Sequence, residues 1–187
     1  MIPAFEDGAS SLLVGRYLTT MEEVRERFVT NDRFAGSSTR ASIWDEWEQA
    51  TAVLREAVPV AQVWLAGSFT TTKLNPNDID CLYWLDTDLV SAAMSDVAAK
   101  NVIGLFAQPD ALRQQFGLRI DSYVATWRSV PDPALGDHLD WKYYRDRGHW
   151  DDWWQRQRSG PKGAPPGRAD SIQRRGYLEV TLDGFSG

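Results

Sequence analysis

Val63-Trp64-Leu65-Ala66-Gly67-Ser68, nine further residues, and Asp78-Ile79-Asp80-Cys81-Leu82-Tyr83-Trp84 read as a buried strand, a Gly-Ser turn, a short loop and a second strand. Side chains alternate across a strand, so Asp78 and Asp80 point one way while Ile79 and Cys81 point into the core. Two carboxylates about 6–7 Å apart on one strand face gain nothing from each other. At an effective dielectric near 20 and about 4 Å between oxygens, they repel by roughly 4 kcal/mol. A divalent cation removes that conflict, and hard oxygen ligands on a short span suit Mg²⁺ or Mn²⁺, which share their shell with phosphate oxygens. Gly67-Ser68 supplies the complementary part, a turn whose backbone N–H groups and hydroxyl can approach phosphate.

Gly67, Ser68, Asp78 and Asp80 resemble the signature of the nucleotidyltransferase superfamily, whose fold is that of DNA polymerase β. The signature is an apolar strand, Gly-Gly or Gly-Ser, a gap of similar length, and Asp-x-Asp or Asp-x-Glu opening the next strand. The resemblance implies a third carboxylate on a later apolar strand, and Leu118-Arg119-Ile120-Asp121-Ser122-Tyr123-Val124 offers Asp121. Many members carry Gly and Ser-Asp just before the first acid, where this chain has Lys73 and Pro76-Asn77. In that respect it looks like a branch of small bacterial and phage proteins. The implied fold is α/β (α+β): a minimal core with a mixed β-sheet and helices mainly on one face. The implied chemistry is transfer of a nucleoside monophosphate from an NTP to an acceptor hydroxyl, with Asp78, Asp80 and Asp121 holding two metal ions. Small members of the superfamily include tRNA-modifying toxins, protein-modifying antitoxins and antibiotic-modifying enzymes.

A chain of 187 residues suits a single domain over 1–187 with a sizeable core. Hydrophobic content of 43% and nine Trp exclude a disordered chain. No apolar run approaches eighteen residues and no basic leader precedes an apolar stretch, so a cytoplasmic protein without membrane contact is expected. Cys81, alone, pairs with nothing internally and suits the core. Charge is uneven: residues 1–140 carry 11 basic and 20 acidic side chains, residues 141–187 carry 9 and 6. A basic tail on an acidic protein permits a polyanion contact.

Around this core, residues 1–18 read as an irregular arm. N-terminal helices are expected within 19–57. Thr20-Met21-Glu22-Glu23 fits a capping box, and Ile43, Trp47, Ala50, Leu54 and Ala57 form a core-facing stripe on a helix over 40–57. The core spans 58–130, with strands at 60–66, 78–85 and 118–127. Between them a helix is expected over Leu89–Asn101 with Val90, Met94 and Val97 inward, and a helical piece opens at Pro109. The extension 131–187 gathers Trp141, Tyr143, Tyr144, Trp150, Trp153 and Trp154 with four arginines. A Gly/Pro-rich connector then leads to a strand over 174–182, expected at a sheet edge.

Each candidate has a plain structural alternative. Asp78 and Asp80 can be strand-start acids satisfied by turn N–H groups, and Asp121 an edge-strand surface acid. Ser68 either bonds a phosphate or closes its own turn. Lys73 either sets a point charge on a triphosphate or is a solvated loop lysine. Asp86 and Asp88 suit helix capping. The aromatic-basic tail either stacks the bases of an RNA or packs as a C-terminal segment. His138 and His149 lack zinc-site spacing, and neither a nucleophile elbow nor a P-loop is present. The leading expectation is a nucleotidyltransferase with an NTP substrate and an RNA or protein acceptor, RNA being slightly favoured. A catalytically inactive nucleotidyltransferase-fold protein that docks a nucleotide or a partner protein is the alternative.

Overall fold

The structure is a computed structural model describing residues 1–161 and 163–185. In chain order it contains β1 (Gly15–Thr19), α1 (Met21–Phe28), α2 (Arg40–Ala57), β2 (Val60–Ala66), β3 (Ile79–Asp86), α3 (Thr87–Ala93), α4 (Val97–Phe106), α5 (Ala111–Phe116), β4 (Ile120–Trp127), α6 (His138–Gln155) and β5 (Gly176–Thr181). The five strands form one mixed sheet in the order β1-β5-β2-β3-β4. β1 runs parallel to β5 and β3 parallel to β4, while β2 is antiparallel to both β3 and β5. The fold is α+β. No helix among the described residues is long and apolar enough to cross a membrane.

Alternation along β2 and β3 sorts the core into two layers. Val63, Leu65, Cys81 and Tyr83 face α1, α2 and α4 and join Phe28, Ile43, Trp47, Leu54, Ile103 and Phe106. The Tyr83 hydroxyl, buried in that layer, shares a 2.7 Å hydrogen bond with Thr51. Trp64, Leu82, Trp84 and Tyr177 face the opposite way and meet Trp154, Trp150 and Tyr143 of α6. Helix α6 thus covers the second face of the sheet, and its aromatic residues divide between that layer and the surface. Trp154 is buried, whereas Trp141 and Trp153 are exposed.

Helix starts follow their caps. The Thr20 side chain accepts from the Glu23 N–H, and Asp137 with Asp140 closes a capping box at the start of α6. Helix α6 itself went unread in the sequence, since tryptophan and tyrosine on several of its faces blur any single stripe. The helix expected over Leu89–Asn101 is two helices. The Asp96 carboxylate accepts from the Ala98 N–H and starts α4 afresh, which turns Met94 and Val97 outward. Two strand expectations also change. The N-terminal arm carries β1, and β5 lies between β1 and β2 rather than at an edge. One cause explains both: β5 becomes internal only because β1 arrives from 161 positions upstream, a pairing no local pattern announces.

Candidate functional site

Gly67 follows β2 with φ of 75°, a left-handed conformation that side chains resist. A Cβ built on it would stand 1.6 Å from the Asp80 Oδ2. The turn and the Asp80 carboxylate on β3 therefore pack so closely that only glycine fits at position 67. Asp80 pairs in register with Ala66 of β2 on one side and with Asp121 of β4 on the other. Both acids share the sheet face that carries Leu82, Trp84 and Ala125, the face covered by α6.

The loop after the glycine is held from beneath. Arg40, at the first turn of α2, is 1% exposed. Its guanidinium donates to the carbonyls of Phe28, Phe69, Thr71 and Lys73 at 2.6–2.9 Å and lies 3.8 Å from the Phe34 ring centroid. Burial without a carboxylate lowers its proton affinity to about 10. Asn75 accepts from the Ser38 N–H at 2.9 Å, so both ends of the nine-residue loop are tied to the entrance of α2.

The acids differ in their surroundings. Asp80, partly buried, is pushed up to about 6, first by burial and then by the charges of Asp78 and Asp121. Burial likewise raises Asp121, which accepts from the Tyr123 hydroxyl at 3.1 Å and the Asp110 N–H at 3.4 Å. Asp78 lies one residue before β3 and binds the Arg113 guanidinium at 2.7 Å. Among the described residues no group of three His, Cys, Asp or Glu side chains is placed to hold a metal ion. Asp80 and Asp121 nonetheless offer two adjacent hard oxygen donors without a direct ion pair among the described residues; Arg113 pairs with Asp78 and Asp110, and the charges of Arg175 and Arg113 offset the strain at Asp80 only in part. This donor set fits Mg²⁺ or Mn²⁺ at Asp80 and Asp121, and fits a third ligand only with Asp78 released.

Gly67 and Asp80 line a cleft of about 590 Å³. Its walls come from the end of α6 and the segment after it, with His149, Trp153, Arg156, Arg158 and Arg175. Of the catalytic, metal and nucleotide-binding candidates from the sequence, Gly67 and Asp80 line this cleft, and Asp121 stands beside Asp80. The Ser68 carbonyl accepts from the Thr71 hydroxyl at 2.7 Å, closing the turn. Lys73 is exposed and lines no part of the cleft; what the loop uses is its carbonyl. Sequence reading missed Arg40, Arg113 and Arg175. Arg175 had a faint signal in the basic tail, whereas nothing in the sequence sets Arg40 or Arg113 apart from a surface arginine.

Residues 3–181 match a family of unknown function, DUF6932, and the chain belongs to that family. No curated protein and no solved structure matches the chain.

Proposed function

From the fit of the Gly67 turn to the Asp80 carboxylate, we propose that the protein is a Mg²⁺-dependent nucleotidyltransferase that moves a nucleoside monophosphate from an NTP to an acceptor hydroxyl. The observation carrying this reading is the Asp80 carboxylate, seated in the space a side chain at position 67 would fill, beside Asp121 and open to a cleft that arginines also line. The backbone N–H groups of a glycine turn can meet phosphate oxygens. Arginines across the cleft offset the charge of a polyphosphate. Asp80 and Asp121 would hold the metal, which when bound polarises the phosphoryl oxygens and lowers the pKa of an acceptor hydroxyl. In the transfer the acceptor oxygen bonds to the α-phosphorus and the bond from that phosphorus to the bridging oxygen breaks. Pyrophosphate leaves with the electron pair, and the hydroxyl proton passes to a nearby carboxylate, which we assign to Asp121.

A second reading rests on the Arg113–Asp78 pair. If Arg113 stays on Asp78, the site binds a nucleotide without transferring it. Calorimetric titration with each of the four NTPs, in Mg²⁺ and in EDTA, separates the two. A transferase requires metal-strengthened NTP binding and turnover, whereas a binder gives heat without pyrophosphate. Absence of NTP binding under both conditions contradicts both.

A further inference from the structure

The cleft has a wall that phosphoryl chemistry alone does not require. Helix α6 places Trp154 in the second core layer at 4% exposure, yet Trp153, its neighbour, is 50% exposed. Successive helical residues are offset by about 100°, so burying Trp154 sends Trp153 over the cleft. Its ring is pre-set: His149 meets it edge-on at 5.3 Å between centroids and Trp150 lies near-parallel at 5.7 Å. A large aromatic held half open to water loses burial free energy unless something covers it.

The charges along this wall are unequally matched. Asp152 is taken by Arg156. The Asp170 carboxylate receives the Ser159 and Gly167 N–H groups at 2.5 and 2.7 Å. Arg158 and Arg175 have no carboxylate within ion-pair distance among the described residues. Arg175 is fixed nonetheless, since its Nε donates to the Trp154 carbonyl at 3.1 Å. The Asp80 charge acts on it from beyond ion-pair distance, and a fixed, partly buried guanidinium with no carboxylate in direct contact keeps its capacity to capture an anion.

We propose that Trp153 with Arg158 and Arg175 forms the nucleotide-holding subsite: the nucleobase stacks on Trp153 and the polyphosphate lies on the two arginines, its inner phosphate over the Gly67 turn. This rests on reading the cleft as a nucleotide site, and it assigns to the C-terminal extension the base-gripping task that a separate domain would otherwise perform. Base–aromatic stacking is worth about tenfold in affinity.

The test is titration of the whole protein in Mg²⁺ with each of the four NTPs and with inorganic tripolyphosphate. Wild type should bind at least one NTP about tenfold more tightly than tripolyphosphate. Trp153→Ala should bring that NTP to the tripolyphosphate level and leave tripolyphosphate unchanged, while Trp153→Phe retains the preference. Should Trp153→Ala not fold, Trp153→Leu gives the same comparison, keeping apolar bulk without a ring. Arg158→Gln and Arg175→Gln should weaken NTP and tripolyphosphate alike. If tripolyphosphate binds wild type as tightly as every NTP, or if Trp153→Ala keeps the preference, the base subsite falls while a phosphate site stands. If neither NTP nor tripolyphosphate binds, the transferase assignment falls with it.

Discussion

The Asp80 Oδ2 lies 1.6 Å from where a Gly67 Cβ would stand, so the turn closing one strand and the acid opening the next are fitted to each other. Gly67→Ala combines this overlap with a left-handed backbone that costs roughly 1–2 kcal/mol for any other residue. We expect it to lower the thermal midpoint by at least about 5 °C and to remove NTP binding. Gly104→Ala, where nothing stands within 4 Å, should leave the midpoint equal or slightly higher, as alanine in a helix is favoured. Equal melting of wild type and Gly67→Ala would refute the fit.

Asp80 carries a cost that Arg175 and Arg113 relieve only in part. Its carboxyl is raised to about 6 from an ordinary 3.8, so the folded state holds that proton more tightly than the unfolded one. Stability must then fall as pH rises from about 4 to about 6 and level off above. The ionised group costs on the order of 2 kcal/mol near neutrality. In EDTA at about pH 7.5, Asp80→Asn should melt about 5 °C above wild type, the gap closing near pH 4. Mg²⁺ should raise the wild-type midpoint and not that of the variant. Identical melting curves at both pH values would show that Asp80 bears no such penalty.

Arg113 competes with any cation for Asp78, which it meets at 2.7 Å. Both partners are partly exposed, so the pair adds less than about 1 kcal/mol to stability. Arg113→Gln should therefore fold normally and, in a transferase, reach half-maximal rate at a lower Mg²⁺ concentration. Unchanged Mg²⁺ dependence in this variant, with Asp78→Asn equally active, would place Asp78 outside the metal site.

Arg40 satisfies four carbonyls from a buried position. Arg40→Met keeps much of the volume but strands those acceptors, each costing about 1 kcal/mol or more. We expect the midpoint to drop by about 8 °C, with protease cleavage appearing within 69–77. Retention of the wild-type cleavage pattern would mean that the loop does not depend on Arg40.

Much of this architecture is written locally. The α2 stripe, the run of β2 and the opening of β3 follow from periodicity and turn residues. Gly67 and Asp80 stand out because one backbone conformation and one carboxylate must coincide. What was not legible depends on distant partners. β1 and β5 acquire their places only together, and α6 hides its helical period because its aromatics serve both the sheet and the cleft. The arginines were the least legible, since Arg40 and Arg113 earn their roles from carbonyls and a carboxylate 12 to 35 positions away.

The central claim is tested most directly by label transfer. Purified protein is incubated in Mg²⁺ with total RNA or cell extract and each α-³²P NTP, alongside Asp80→Asn and Asp121→Asn. We predict that wild type labels a macromolecule and that each variant does so at least about a hundredfold more slowly while remaining folded. Labelling by both variants at the wild-type rate, or no labelled acceptor despite tight NTP binding by wild type, would contradict it.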